Sequence, residues 1–294
     1  MDGVISQLVA GVSIGSVLLF VALGLALTFG QMGVINMAHG EFIMAGAYTA
    51  WIMQNILGDA GLSLIVSIPV AFLVGGLLGV ILEEVLLRRM YHRPLDTLLA
   101  TFGVSLILQQ AARSIFGAPN KEVRSPEWLA GSIELLGANI PVKRIFILVL
   151  LVIVVAALAS LLTYTSLGRR IRAVVLNRDL AEATGISTRA IDRLTFFIGS
   201  GLAGIAGVAL TLVGSTGPTL GTNYIVDAFL VVVIGGIGQI RGAILAAFAL
   251  GIAQAFIEMG TTATWARFIV LILIVLFLQW KPQGMFVVRT RSLA

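Results

Sequence analysis

The segment GVINMAHGEFIMAGAY, at residues Gly33–Tyr48, decides the fold of this chain. It places Asn36, His39 and Glu41 between two long apolar stretches. Polar and ionisable side chains are costly inside a bilayer, and they are usually kept where they face a bundle interior or a solute path. The segment therefore predicts a membrane protein that moves a solute, with the path close to these residues. The structural alternative is that the three side chains cap broken helix ends and contact no solute.

The composition indicates that lipid is the main solvent of the protein. Of the 294 residues, 59% are hydrophobic and 11% are charged, and the mean hydropathy is +1.05. Soluble domains carry about 25% charged residues, so this chain has too few charges to cover a water-facing surface. Cysteine is absent, and the two histidines, His39 and His92, lie far apart in sequence. We therefore expect no disulfide framework and no metal site.

Nine apolar runs predict an all-α, polytopic transmembrane bundle with eight or nine membrane helices. All but the seventh are long enough, or nearly so, to cross a hydrocarbon core of about 30 Å. The seventh ends in GGIGQIRG, Gly235–Gly242, where Gly235, Gly236 and Gly238 interrupt the helical pattern. Such an interruption must be buried in protein or line a cavity, so it is either a tight turn between two crossings or a re-entrant hairpin. The runs are Leu8–Phe29, Glu41–Leu57, Leu62–Leu87, Thr97–Ile115, Ile145–Tyr164, Leu194–Val213, Tyr224–Ile234, Ala243–Ile257 and Trp265–Trp280.

Basic residues predict the orientation of the bundle. Twelve of the nineteen Lys and Arg residues lie in loop 87–96, in loop 166–193 and in the C-terminal tail. Because cytoplasmic loops carry an excess of Lys and Arg, these three stretches are predicted to be cytoplasmic, which places the segment Phe116–Arg144 and the N-terminus outside. The net charge of +5 is thus explained by orientation and not by nucleic acid. Near the first loop we expect Glu84 to pair with Arg88, one helical turn later.

Loop 166–193 contains a second informative sequence, GRRIRAVVLNRDLAEATGIS at Gly168–Ser187. Residues Ile171–Ala183 can form one short helix, and Gly185 is suited to a left-handed stop. A helix lying on the membrane face could dock into a cleft of a soluble partner. Alternatively, it only covers the end of the bundle.

The sequence shows no catalytic pattern, so we predict that the chain is not an enzyme. A phosphate-binding loop needs Gly-Lys-Ser/Thr, and no lysine in this chain follows a glycine. GSGLAG, Gly199–Gly204, matches G-x-G-x-x-G but lies within an apolar run, so we interpret it as close helix packing. His39 and Glu41 are two positions apart and would not face each other on a helix, which disfavours a proton relay. If ATP drives transport, another polypeptide must hydrolyse it.

These sequences resemble the LivH-like permeases of bacterial branched-chain amino acid ABC importers. The resemblance extends to GGIGQIRGAILAA at Gly235–Ala247 and to KPQGMF at Lys281–Phe286. One departure is Gln239–Arg241, where other members often have small or proline-containing variants. Four residues of the loop occupy positions of the family's ATPase-coupling segment: Arg172, Asn177, Ala181 and Gly185.

Within the family, MGVINMAHGEFIMAGAY and VLFLQWKPQGMF look most like the urea branch, the UrtB-type permeases. Urea is neutral and planar, so it needs only a narrow path with polar partners such as Thr28, Asn36 or Ser105. A zwitterionic amino acid would also need partners along the path for its ammonium and carboxylate charges. The alternatives are a branched-chain amino acid importer permease and, from another class, a passive urea channel that acts alone.

The resemblance implies one transmembrane permease domain over residues 1–294, with its coupling loop at about 166–193, in the bacterial inner membrane. Its implied partners are a LivM-like second permease, two cytoplasmic ATPases that use ATP and Mg²⁺, and a periplasmic solute-binding protein. This chain itself is expected to hold no cofactor. Asn36, His39 and Glu41 are the candidate pathway residues. Gly235, Gly236 and Gly238 are candidates for a hinge or for close packing.

Overall fold

The computed structural model describes residues 2–90, 93–135 and 138–286. His92, Arg289 and Arg291 of the predicted cytoplasmic stretches lie outside the described residues. The helices are α1 (Asp2–Met32), α2 (His39–Leu57), α3 (Ala60–Val85), α4 (Pro94–Phe116), α5 (Val142–Tyr164), α6 (Ser166–Leu176), α7 (Arg178–Ala183), α8 (Thr188–Thr211), α9 (Leu220–Gly235), α10 (Ile240–Glu258) and α11 (Ala263–Trp280). Two short strands, β1 (Ser132–Leu135) and β2 (Ala138–Pro141), pair as an antiparallel hairpin.

The nine apolar runs correspond to nine helices, α1 to α5 and α8 to α11, which confirms the predicted polytopic bundle. Seven helices of the described chain are long and apolar enough to cross a membrane: α1, α3, α4, α5, α8, α10 and α11. Helix α9 has 16 residues and is shorter than these. Helix α2 has 19 residues but begins with the polar sequence His39–Glu41. The β1–β2 hairpin is the part of the described chain that an all-α prediction omits.

Helix α8 lies at the centre of the bundle because its glycines let other helices approach closely. Gly199 faces α1, Gly201 and Gly204 face α3, and Gly207 faces α2. A methyl group added at Gly201 would lie 2.6 Å from the ring of Phe72. The interpretation of the G-x-G-x-x-G match as helix packing agrees with this arrangement.

Side-chain contacts show which helix ends lie together. Gln31, at the end of α1, donates to the carboxyl of Asp192, near the start of α8. Glu84, near the end of α3, pairs with Arg193 of the same α8 turn. The expected Glu84–Arg88 pair is therefore wrong, because α3 ends before Arg88 and a 3-10 turn follows it. The ends of α1 and α3 thus lie at the arginine-rich face, and α1 begins at the opposite one, as the charge pattern predicts.

Helices α1–α3 and α8–α10 pack as an inverted pair. In this pairing α1 corresponds to α8, α2 to α9 and α3 to α10. The contact between α1 and α10 therefore matches the contact between α8 and α3, and the contact between α2 and α8 matches that between α9 and α1. The two sets meet where Gly24 approaches Gly199 and where Gly40 approaches Gly221. In membrane proteins built from inverted repeats, solute sites lie near the repeat interface and often involve discontinuous helices. The start of α2 lies at this interface.

Candidate functional site

The chain re-enters the bundle between α1 and α2. Gly33, with φ of 64°, ends α1 in the left-handed region. Asn36 is 2% exposed, and its Oδ1 accepts a hydrogen bond from the backbone N–H of Ala38 at 3.0 Å. Helix α2 begins only at His39, so Asn36 is not on a helix and shares no helical face with His39. The structure shows Asn36 as a capping residue, and its role in a solute path stays a prediction.

The first turn of α2 is buried about midway along α8. The end of α1 is tied to α8 at Asp192, whereas the ring of His39 lies beside Gly24 and near Gly199. These two levels on α8 are about 10 Å apart at 1.5 Å per residue, and the chain covers that distance between Met32 and His39. His39 is fully buried, and neither of its ring nitrogens has a hydrogen-bond partner among the described residues.

Glu41 is the centre of a polar cluster that joins three helices. Its side chain is 1% exposed. Its Oε1 accepts hydrogen bonds from Ser105 Oγ at 2.8 Å and from Gln109 Nε2 at 2.9 Å, both on α4. Gln109 Nε2 also lies 2.9 Å from Thr222 Oγ1 on α9. Glu41 and His39 have different neighbours, which agrees with the expectation that they form no relay.

Helix α4 turns a polar stripe towards the re-entrant segment. Four of its five buried positions recur every four residues and carry hydroxyl or amide groups: Thr97, Thr101, Ser105 and Gln109. The hydroxyl of Thr101 accepts the backbone N–H of Met37 at 3.1 Å. We call this stripe, together with Met37 and Glu41, the polar seam. The four-residue period of the stripe is visible in the sequence, but sequence analysis identified only Ser105 of its members.

The first turns of α2 and α9 touch each other beside the polar seam. A methyl group added at Gly40 would lie 2.6 Å from the carbonyl oxygen of Gly221. Thr222, the next residue of α9, is exposed. The same turn of α9 lines a polar cavity of about 430 Å³ that also reaches Asn120 and Ser215. The polar seam is therefore adjacent to an open, polar surface of the chain.

The predicted coupling segment forms two helices and not one. Helices α6 and α7 are separated at Asn177, which adopts an extended backbone and caps α7 by accepting the N–H of Leu180 at 2.9 Å. The prediction of one helix over Ile171–Ala183 is wrong because Asn177 competes with the helical backbone for hydrogen bonds. Gly185 has φ of 83°, as expected for a left-handed stop.

Helices α6 and α7 are attached to the bundle by buried contacts. Ala181 is 4% exposed and packs in a cluster with Ile171, Val174 and Ile191. Arg172 donates to the carbonyl oxygen of Leu162, at the end of α5.

Asp192 is the polar anchor of the same region. It is 1% exposed, and it binds Gln31 with one carboxyl oxygen and Arg178 of α7 with the other. Thr188 donates to Glu182, which is also at the end of α7. Sequence analysis missed Asp192, since a single Asp in a basic loop carries no distinguishing pattern.

The glycine-rich segment forms a tight turn between α9 and α10, and a full membrane crossing by both helices stays a prediction. Gly236 and Gly238 have φ of 98° and 76°. The segment after α11 returns to this turn, where the backbone N–H groups of Met285 and Phe286 donate to the carbonyls of Ile234 and Gly235, at 2.7 and 3.3 Å. These bonds satisfy carbonyl groups that the end of α9 would otherwise leave unpaired.

A helical bundle with a buried polar seam and a helix pair anchored at its arginine-rich face defines a polytopic membrane protein. The sequence profile of the family described as branched-chain amino acid transport system / permease component matches residues 7–278. The chain belongs to this family, which confirms the LivH-like resemblance.

Three relatives illustrate the similarity. The chain is 31% identical over 295 residues to the high-affinity branched-chain amino acid transport system permease protein BraD of Pseudomonas aeruginosa, with 95% of this chain and 94% of the relative covered. It is 29% identical over 292 residues to LivH of Escherichia coli K12, a permease protein of the same description, with 95% and 94% covered. It is 25% identical over 245 residues to the inner membrane ABC transporter permease protein YjfF of the same organism, with 79% and 70% covered. No solved structure gives a significant match.

These comparisons bear on the sequence predictions to different extents. The relatives are transport permeases and not enzymes, as expected for this chain. They do not support the assignment to the urea branch, and they fit the amino acid alternative better. Within the described residues, no group of three or more His, Cys, Asp or Glu side chains could hold a metal ion. The roles of the individual site residues stay predictions.

Proposed function

We propose that this chain is a permease subunit of an ATP-driven importer for branched-chain amino acids in the bacterial inner membrane. In this proposal residues 1–294 form one permease domain and half of the translocation pathway. The observation that carries the proposal is the likeness to two amino acid permeases over 95% of the chain. Such a likeness includes the elements that carry the polar seam and the cytoplasmic helix pair.

The polar seam supports a pathway role because its groups would be costly if they served only packing. Glu41 lies inside the bundle, at the interface between the two inverted sets of helices, and Ser105 and Gln109 bind it from α4, which packs on α2. An exposed threonine, Thr222, connects them to the surface. In the proposed importer this surface faces the second, LivM-like permease, so that the pathway lies between the two subunits.

The cytoplasmic helix pair supports coupling to separate ATPases. Leu176 and Leu180 are 67% and 61% exposed on either side of the break at Asn177. Apolar side chains at this position, surrounded by arginines, suit docking into a cleft of a soluble protein. Because α7 is anchored through Asp192 to α1 and α8, a movement of the docked ATPase would reach the helices that flank the polar seam. Two ATPases supply ATP and Mg²⁺, and a periplasmic binding protein delivers the solute.

Urea is a second candidate solute. The segments MGVINMAHGEFIMAGAY and VLFLQWKPQGMF look most like the urea branch, and the amide and hydroxyl groups of the polar seam could bind a neutral diamide. The relatives favour amino acids. A passive urea channel would need neither ATPases nor the anchored helix pair.

Uptake by the reconstituted importer tests this proposal. Proteoliposomes that contain the chain with its second permease, ATPases and binding protein should accumulate labelled leucine when ATP is present, and liposomes with the chain alone should not. Accumulation of urea instead of leucine would change the assigned substrate to urea and leave the proposed ATP-driven mechanism unchanged. Uphill uptake by the chain alone would refute the importer proposal.

A substitution in the coupling segment tests the role of α7. Trp in place of Ala181 would displace α7 from its buried cluster, and we expect ATP-linked uptake to be lost while membrane insertion is retained. Trp in place of Ala190, which is exposed at the start of α8, is the matched control. Normal uptake with Ala181→Trp would show that α7 does not transmit the ATPase movement.

A further inference from the structure

One acceptor in the polar seam has no donor. Glu41 Oε2 is buried and lacks a hydrogen-bond partner in the part of the chain that the structure describes. The other oxygen of the same carboxyl, Oε1, has two. A buried acceptor without a partner costs about 1–3 kcal/mol, and each such group in a native protein calls for an explanation.

The two donors of α4 cannot supply the missing bond because they are already engaged. Ser105 has one hydroxyl hydrogen, and it points to Glu41 Oε1. Gln109 has two amide hydrogens, and three acceptors surround its nitrogen: Glu41 Oε1, Ser105 Oγ at 3.1 Å and Thr222 Oγ1 at 2.9 Å. The hydroxyl of Thr222 also interacts with Glu41, but no donor among the described residues forms a hydrogen bond with Oε2. Oε2 is therefore open to a donor that is not part of the chain.

The seam is connected to a surface from which such a donor could arrive. Thr222 is exposed and bonds to Gln109, which bonds to Glu41. Thr222 is followed by Asn223, which is also exposed and lines the polar cavity of about 430 Å³. Adjacent exposed polar residues at the start of a helix of the bundle are unsuited to lipid contact.

The helix geometry fixes the carboxyl. Gly40 and Gly221 have no side chains, so the backbones of α2 and α9 touch directly beside Glu41. The two bonds from α4 hold Oε1, and this leaves Oε2 as the free end of the group. A held carboxyl with one free oxygen is an acceptor that is preorganised for one more N–H group.

We propose that Glu41 Oε2 accepts an N–H group of the solute as it passes the junction of α2, α4 and α9. The ligand class is a small solute with an N–H donor, either the ammonium group of an amino acid or the amide group of urea. This inference rests on the proposed function and deepens it, because it assigns one solute-contacting atom. Ser105 and Gln109 are positioning residues that act through Glu41.

The experiment uses the complete importer in proteoliposomes, with labelled leucine in one arm and labelled urea in the other. Glu41→Gln keeps the size of the side chain and an oxygen at Oε1, but it can place an NH₂ group where the solute's donor should bind. We expect uptake of the transported solute to fall at least tenfold, with ATPase stimulation by the loaded binding protein within twofold of wild type. Thr49→Val is the control: Thr49 lies on the same helix, is 5% exposed and bonds only to the carbonyl of Ala45 in the described contacts.

The outcomes separate this inference from the proposed function. If the wild-type importer moves neither solute with ATP, the proposed function fails. If the wild type transports and Glu41→Gln transports within twofold of it, only the assignment of Glu41 fails. A fall of uptake, ATPase stimulation and assembled complex in the same proportion would show a structural role for Glu41 and would also overturn the assignment. The arm in which uptake is lost identifies the donor as ammonium or amide.

Discussion

Two buried carboxyl groups, Glu41 and Asp192, show how differently the two polar regions of this protein are built. Both side chains are 1% exposed. Asp192 has both oxygens bound, one to Gln31 and one to Arg178, so its site is closed. Glu41 has one oxygen bound twice and the other unbound within the described chain. Asp192 is therefore suited to hold helices together, whereas Glu41 is suited to bind something that is not part of the chain.

The difference also reflects what each region must do in the proposed importer. The cytoplasmic region should transmit movement, and a fully paired network between α7, α8 and α1 is stiff. The polar seam should let a solute bind and leave, which requires polar groups that are held in place but not fully satisfied. The predictions below test this contrast, in order of decreasing expected effect.

Gly40→Val should give the largest effect because it removes the contact on which the seam depends. Even the first added carbon would lie 2.6 Å from the carbonyl oxygen of Gly221, and overpacking of this kind costs about 3 kcal/mol or more. We expect loss of folded protein in detergent, measured by size-exclusion chromatography. Gly103→Val is the control, since a methyl group added at Gly103 would meet nothing within 4 Å. Equal yields of the two variants would contradict the close approach of α2 and α9.

Asp192→Ala should destabilise the attachment of α7 and abolish coupling. It leaves Arg178 and Gln31 without their shared partner. Breaking a buried pair costs about 3–5 kcal/mol, and we expect about 2–3 kcal/mol here because the Arg178 side chain is 36% exposed. Thermal unfolding in detergent measures the loss of stability, and uptake with ATP measures the loss of coupling. The exposed Asp179→Ala, on α7, is the matched control. If the two variants behave alike, Asp192 is not an anchor.

Asn36→Leu should have a moderate effect on stability and a larger one on transport. The substitution removes the bond to the N–H of Ala38, which is worth about 1 kcal/mol for a capping residue. Asn36→Ser keeps a capping oxygen and removes only the amide nitrogen. Lower uptake in both variants, with reduced thermal stability only in the Leu variant, would support a place for Asn36 in the path. Normal uptake with Asn36→Ser would leave it as a cap alone.

Gly185→Ala should give the smallest effect. Its φ of 83° is unfavourable for a residue with a side chain, and the space around it is open, so only backbone strain of about 1 kcal/mol is expected. Gly260→Ala, also in open space but without a positive φ, should be nearly neutral. Chemical denaturation of the purified protein compares the two. A larger loss for Gly260→Ala would contradict the left-handed stop after α7.

The sequence was most informative where one local property decided the structure. Nine apolar runs predicted eight or nine membrane helices, and each run forms a helix, since a segment in lipid must satisfy its own backbone. Gly185 was identified as the residue that ends the coupling helix, because a glycine needs no long-range partner to adopt a left-handed conformation. The break at Asn177 was missed because the same side chain is acceptable on the surface of a helix. The prediction of a Glu84–Arg88 pair was wrong because α3 ends before Arg88, so the two residues do not lie one turn apart on the same helix.

What the sequence determined by itself is therefore the membrane bundle, the shared face of its arginine-rich segments, and the unusual polar segment around Asn36, His39 and Glu41. Hydrophobic length and charge bias act locally along the chain, so they can be recognised without a fold. Only the tertiary structure decided that Ser105, Gln109 and Thr222 meet Glu41, and that Asp192 joins α7 to α1. These contacts link residues 14 to 161 positions apart, and which of them form depends on how glycine-lined helices pack together.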